Sequence, residues 1–351
     1  MKKFGAVFLF AILAGTGRAA AQLKLDPLPA PVSNNAVASL KFKGRLQVFS
    51  FMGIGPKKTW DAITNASYGL DIESGKWTEL IPPPGPVGRI AAGAAGVREH
   101  VFLFGGYIVD GQGSETTAPD VAAFRPLTGH WFRGADIPVP VDDFVIGAYR
   151  DRYVYLVSGW SKTDPVRNVQ VYDAEKNRWL QATPIPGIPV FGHAGALVDD
   201  TIVYVDGAYR NPSGKPRYIA SDECWMGKID HHDPTKIQWS KLPAHPGTAR
   251  YRTAAGGSEK EQKIYFSGGT DNPYNFDGIG YDGNPSVPSP VTFAFNLKTG
   301  KWESVNEHTP NSIMDQHSLT VLPNALVMAG GMDKDQQVTP RVTVIAKPKK
   351  Q

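Results

Sequence analysis

Apolar and polar positions alternate in short blocks along this chain, with no long helical periodicity. Residues 101–104, 264–266 and 326–329 are apolar runs without polar alternation, the pattern of a strand covered on both faces. Each run leads into a glycine pair: Gly105-Gly106, Gly268-Gly269 and Gly330-Gly331. Looser copies occupy 46–53, 153–159 and 202–207. Terminal glycines there permit a sharp exit and a close backbone approach. A second marker follows each run. Residues 71–77, 125–131, 173–179 and 296–302 are segments of equal length ending in Trp77, Trp131, Trp179 and Trp302. Two residues before each Trp stands Gly75, Gly129, Asn177 or Gly300, types that accept the positive φ of a tight hairpin. A fifth copy, 230–239, carries a three-residue insertion.

The two markers define six units of roughly 55 residues, a length suited to propeller repeats. Each unit reads as strand, strand with glycines, loop, strand, short turn, strand with Trp, and a Pro-rich link. With Tyr172-Asp173 also in register, the pattern resembles the kelch repeat over nearly the whole chain. The resemblance implies an all-β, six-bladed β-propeller, in which a closed ring buries faces that a lone blade would leave wet. The last unit has its glycine strand and a strand at 341–345 but no Trp strand, while 23–29 reads like the tail of a Trp strand. Pairing of Leu23 and Leu25 with 342–345 is therefore expected to close the ring and remove its exposed edges. One propeller domain over 22–351 is expected, with no linker.

Composition adds a compartment. Lys2 and Lys3 precede the apolar run 4–14, and Ala19-Ala20-Ala21 follows. This reads as a signal peptide over 1–21, too short to span a bilayer, with a periplasmic or secreted product. Its loss leaves 34 basic against 33 acidic residues, so no global field draws nucleic acid or anionic lipid, and no membrane insertion is expected. A hydrophobic content of 41% with 20% charged residues excludes a disordered chain. Cys224 is the only cysteine, so no intramolecular disulfide forms.

Candidate chemistry sits in the links and loops that reach one mouth of the propeller channel. At matching positions the links carry Arg89, Asp143, His193, Arg250 with Arg252, and Asp315 with His317; the N-terminal copy carries Asn34 and Asn35. Such a ring places ionisable groups around one concavity. The loops after the glycines add Trp60, Tyr107, Trp160, Tyr209, Arg210, Arg217 and Tyr274. Aromatic faces suit the apolar side of sugar rings, and Arg grips carboxylates bidentately. His231-His232-Asp233 reads as a solvated turn on the opposite face, residues 268–290 as a mouth-covering loop, and Cys224 as a packed thiol. No metal or cofactor is expected.

Two kelch-type enzyme families bear on function. Copper-radical oxidases related to galactose oxidase imply a Cys–Tyr cross-link and two His ligands, but this chain has one thiol and no adjacent Tyr–His pair. The chain is more similar to the periplasmic N-acetylneuraminate epimerase (sialic acid mutarotase) family. That resemblance implies a base for the anomeric hydroxyl, an acid for the ring oxygen and an Arg for the substrate carboxylate. Arg217 matches the Arg, while Ala208 stands after Gly207 where the family has Glu. The expected catalytic set is Arg217, His193, Asp143, Asp315 and His317. The expected ligand-binding set is Arg89, Arg250, Arg252, Arg210, Trp60, Tyr107, Trp160 and Tyr274. The expected function is binding of a sugar-like, anionic small ligand or glycan, with mutarotase or epimerase activity. The alternative is a non-catalytic kelch scaffold with a protein or glycan partner.

Overall fold

The structure, a computed structural model, describes residues 23–85 and 88–348. The expected signal peptide lies outside the described residues. Six antiparallel sheets stand around one axis. Blade 1 contains Ala36–Phe42, Arg45–Ile54, Ile63–Asp71 and Lys76–Glu79; blade 2 contains Gly93–Val97, His100–Phe104, Val121–Arg125 and His130–Arg133. Blade 3 contains Val145–Tyr149, Tyr153–Val157, Val169–Asp173 and Arg178–Ala182; blade 4 contains Ala194–Val198, Thr201–Val205, Cys224–Ile229 and Ile237–Leu242. Blade 5 contains Ala254–Ser258, Lys263–Ser267, Thr292–Asn296 and Lys301–Asn306, and blade 6 has Thr320–Val321, Ala325–Ala329 and Val342–Ala346. Among the described residues no helix is long and apolar enough to cross a membrane.

The unalternated runs follow from the ring. In the second strand of blade 2, Val101 and Leu103 pack into blade 1, while Phe102 and Phe104 pack into blade 3. Successive side chains point to opposite faces and both faces are covered. Burying each such side chain contributes about 1.5–3 kcal/mol. The glycines have an equally direct cause. Six equivalent N–H groups donate to the next blade's carbonyls: Gly53 to Arg89 (3.0 Å), Gly106 to Val141 (3.3 Å), Gly159 to Val190 (2.9 Å), Gly207 to Arg250 (3.0 Å), Gly269 to Ile313 (3.1 Å) and Gly331 to Val32 (2.9 Å). The sixth bond joins blade 6 to blade 1. A Cβ on Gly331 would come within 2.8 Å of the Met314 carbonyl oxygen.

The N-terminal segment sits where a fourth-strand tail belongs. Leu28 N–H donates to Pro340 O at 2.8 Å, as Thr309 does to Pro290 O (2.7 Å) and Ile137 to Pro119 O (2.8 Å). Trp77 Nε1 donates to Asp26 O, as Trp131 does to Ile81 O, Trp179 to Ala135 O and Trp302 to Pro243 O. Leu23 and Leu25 pack with Leu322, Ala325, Val342 and Val344. Among the described residues, however, Val342–Ala346 has a ladder only with Ala325–Ala329. The contact expected there as strand pairing is carried by apolar packing and one backbone bond. Pro27 and Pro29, which lack the N–H a ladder needs, bracket that bond.

Candidate functional site

Each inner strand is entered through one residue in the left-handed region: Asn34, Ala91, Asp143, Gly192, Arg252 and Asp315, with φ between 49° and 66°. The residue before each is bridged to its own blade's glycine loop: Ser33 to Ile54, Ile90 to Tyr107, Asp142 to Trp160, Phe191 to Ala208, Tyr251 to Thr270 and Met314 to Met332. Main-chain bonds link these corners around the axis: Asn34 N–H to Asp315 O, Asp143 to Ala91 O, Gly192 to Asp143 O and Arg252 to Gly192 O. The backbone thus gathers Asn34, Asp143, Arg252 and Asp315 at one level of the axis.

Arg252 organises that level. Its Nε and Nη2 donate to the two oxygens of Asp143 (3.0 and 2.6 Å), and Nη1 donates to Asp315 Oδ1 at 2.8 Å and to Asn275 O. The guanidinium lies 4.9 Å from the Tyr251 ring centroid and 5.4 Å from that of Tyr274. His317 Nε2 lies 3.1 Å from Asp143 Oδ1 and 3.3 Å from Asn34 Oδ1. Arg252 and His317 hold the Asp143 carboxyl below its usual range despite burial. Burial pushes Asp315 upward in spite of Arg252. Burial, with Asp143 adjacent, pushes Asp142 well above it. One guanidinium does not keep three buried carboxyl groups ionised.

The position-matched ring expected from the sequence divides into three layers. Asp143, Arg252 and Asp315 form the buried level just described. Arg89 and Arg250 do not line the mouth: they lie two residues before the corner, where other blades have Val32, Val141, Val190 and Ile313. Both are buried between blades. Arg89 pairs with Asp120 at 3.2 Å. Arg250 donates to Val291 O at 3.2 Å and lies over the Phe293 ring. His193 and His317 fall one and two residues beyond the corner and line the axial channel of about 170 Å³ with small residues such as Ala94, Gly195 and Gly256. His193 Nε2 donates to Val157 O at 2.9 Å, and burial lowers its pKa to about 3. Asn35 lies beneath the corner, bonded to Ser50 and Ala329 O.

The loop 268–290 covers the axis. Tyr107 OH donates to Asn275 Oδ1 (3.1 Å), and Asn275 Nδ2 donates to Glu115 Oε1 (2.6 Å). Lys58 Nζ, from blade 1, donates to Asp277 O (2.6 Å) and to Gln336 O (3.1 Å). Beside this loop lies an open, off-axis cavity of about 370 Å³ bounded by blades 2 to 5. Its floor is Asp142, Asp143 and Arg252, and aromatic walls come from Tyr107, Trp160, Phe191, Tyr218, Tyr251 and Tyr281. Trp160, Phe191 and Tyr218 pack edge to face, with centroids 5.3–5.7 Å apart. The rim carries Lys162, Arg210 and Arg217. Arg210 is paired with Asp164. Among the described residues no carboxylate pairs with Lys162 or Arg217, whose guanidinium stands 5.2 Å from the Tyr218 ring centroid.

Other expected positions lie apart. Trp60 is 53% exposed and outside the cavity, its ring near Gly111. Tyr274 is fully buried behind Arg252. Tyr209 packs into the core between blades 3 and 4. His231 lies in a surface turn, with Nε2 3.1 Å from Asp200. Cys224 is buried, which pushes its thiol up to about 12. Among the described residues no three His, Cys, Asp or Glu side chains are grouped to hold a metal ion. Asp142, Glu115, Thr117, Lys162, Tyr218 and Tyr281 were missed by sequence reasoning. The one available signal was the doublet Asp142-Asp143 at a corner.

These features define a six-bladed β-propeller of kelch type with a covered axis and a side cavity. Comparisons with known proteins agree on that class. No family model matches the chain. It is similar to Kelch-like protein 15 of Mus musculus, 23% identical over 259 residues, covering 73% of this chain and 40% of that protein. Kelch-like protein terF of Aspergillus terreus is 25% identical over 252 residues, covering 70% and 50%. A putative F-box/kelch-repeat protein of Arabidopsis thaliana is 30% identical over 204 residues, covering 56% and 52%. The chain thus spans less than half the length of the first curated relatives it matches. Among solved structures, that of YjhT superposes with a TM-score of 0.72 at 17% identity, covering 93% of this chain and 98% of that one. This is a likeness of fold.

Proposed function

We propose that the side cavity binds a sugar acid of sialic-acid type and interconverts its anomers, in a protein that works in the periplasm or is secreted. The observation that carries this reading is the pair of uncompensated cations, Lys162 and Arg217, on the rim of an aromatic-walled cavity. Aromatic faces hold the apolar side of a sugar ring, and a guanidinium without a carboxylate partner is available to a ligand carboxylate. The volume of about 370 Å³ falls in the range of small-molecule sites, roughly 300–1,000 Å³. A non-catalytic scaffold calls for a broad, shallow top face. The loop 268–290 over the axis and the buried Asp142 favour a recessed small-molecule site instead.

Calorimetric titration with N-acetylneuraminate and with neutral N-acetylmannosamine tests the reading. The acid is expected to bind and the neutral sugar to bind at least tenfold more weakly. Arg217→Ala should cost a similar factor, about 1.5–3 kcal/mol for a charge-assisted contact. Equal affinity for the two sugars, or an unchanged Arg217→Ala titration, contradicts it.

A further inference from the structure

Of the three carboxyl groups that border this cavity, Asp143 is bound by Arg252, and the other two, Asp142 and Glu115, stand in contrasting settings. The Asp142 main chain is fixed by reciprocal bonds with Trp160, 3.0 and 2.9 Å. Thr117 Oγ1 donates to Asp142 Oδ2 at 2.9 Å. Oδ2 is thereby an acceptor, and Oδ1, which has no partner among the described residues, is the oxygen left to carry a proton toward the cavity. Burial and the neighbouring Asp143 favour the neutral acid. Glu115 is exposed, two residues before Thr117 on the strand Glu115–Thr117. Residues i and i+2 share a strand face and lie roughly 7 Å apart along it. Asn275 Nδ2 holds Glu115 Oε1, and the second oxygen is without a protein donor among the described residues.

We infer that Asp142 and Glu115 are the acid and base of anomer interconversion in this cavity. The inference rests on the sugar-acid reading above. Glu115 takes the proton of the anomeric hydroxyl, and that oxygen's electron pair forms the carbonyl. The bond from the anomeric carbon to the ring oxygen breaks, and its pair stays on the ring oxygen, which receives the proton of Asp142. Rotation about the bond to the new carbonyl carbon presents its other face. Closure runs the same transfers backward and returns both protons, with no net oxidation and no co-reactant. Separating an acid from a base by environment is how one site supplies both.

The experiment is exchange-spectroscopy NMR on N-acetylneuraminate anomers, with affinity for the same sugar measured by titration, for wild type, Asp142→Asn and Glu115→Gln. Both substitutions keep size and hydrogen-bonding capacity. Each variant is expected to bind within about threefold of wild type and to slow catalysed exchange at least 100-fold, the lower range for general acid–base catalysis of about 10²–10⁴. Exchange within tenfold of wild type in either variant overturns the pair while leaving the activity. Binding by wild type without acceleration overturns the pair and leaves the ligand. No binding by wild type removes the ligand reading and the pair with it.

Discussion

Arg252 faces more carboxyl groups than one cation neutralises, and the consequences differ residue by residue. Asp143 is ionised and doubly bonded to it, so Asp143→Asn removes a charge from a buried pair and should destabilise the fold by about 3–5 kcal/mol. Asp142 behaves oppositely. Its folded pKa is raised, so its contribution is fully present below the unfolded value near 3.8 and is lost as pH rises through the folded value. Asp142→Asn removes that loss and should be at least as stable as wild type at pH 7, with the advantage shrinking toward pH 4. Urea denaturation at the two pH values checks both statements. His193 gives a third case. Its folded pKa is depressed to about 3, so its contribution is present above the unfolded value of 6.5 and is lost as pH falls between them. The slope expected from this one group is about 1.4 kcal/mol per pH unit. His193→Gln should flatten the acid limb of stability against pH, and an identical limb would refute the assignment. Asp143, Arg252 and Asp315 were legible in the sequence because they recur at the repeat spacing. Arg89 and Arg250 were misplaced because two residues along a link separate an axial corner from an inter-blade packing site. Asp142 showed only as a doublet with Asp143, and Glu115 and Lys162 were illegible because their approach to it depends on where the loops after the glycines lean.

Strands and turns were the most legible level. Unalternated apolar runs, glycines and Trp each have one physical cause repeated around the ring. That repetition makes single positions testable. Gly331 has φ +99° and no room for a Cβ, and its N–H makes the bond from blade 6 to blade 1. Gly331→Ala should cost about 1–3 kcal/mol for the strained backbone, with further loss from the contact at Met314 O. Gly113 has φ +80° but nothing within 4 Å of a Cβ, so Gly113→Ala should pay the backbone part alone. Thermal melts of the two variants should therefore separate, with Gly331→Ala lower. Coincident melts would mean that the close approach carries no weight. The loop 268–290 was anticipated as a covering segment. Its anchors were not, because Tyr107, Glu115, Lys58 and Gln336 reach it from blades distant in sequence.

At the scale of the whole molecule, the ring gives a rigid corner at each blade, and the chemistry comes from departures from its symmetry. Corners occupied by Ala91 and Gly192 offer no ionisable group, whereas those occupied by Asp143, Arg252 and Asp315 do. The covered axis then moves the open cavity to one side, under Lys162 and Arg217. The role proposed for this side cavity is to receive a sugar acid. A crystal structure of the protein soaked with N-acetylneuraminate tests it most directly. The predicted result is the sugar ring against Trp160 and Tyr218, its carboxylate about 2.7–2.9 Å from the Arg217 guanidinium, and its anomeric end beside Asp142 and Glu115. Sugar bound elsewhere, or a cavity holding only solvent at saturating ligand, would contradict it.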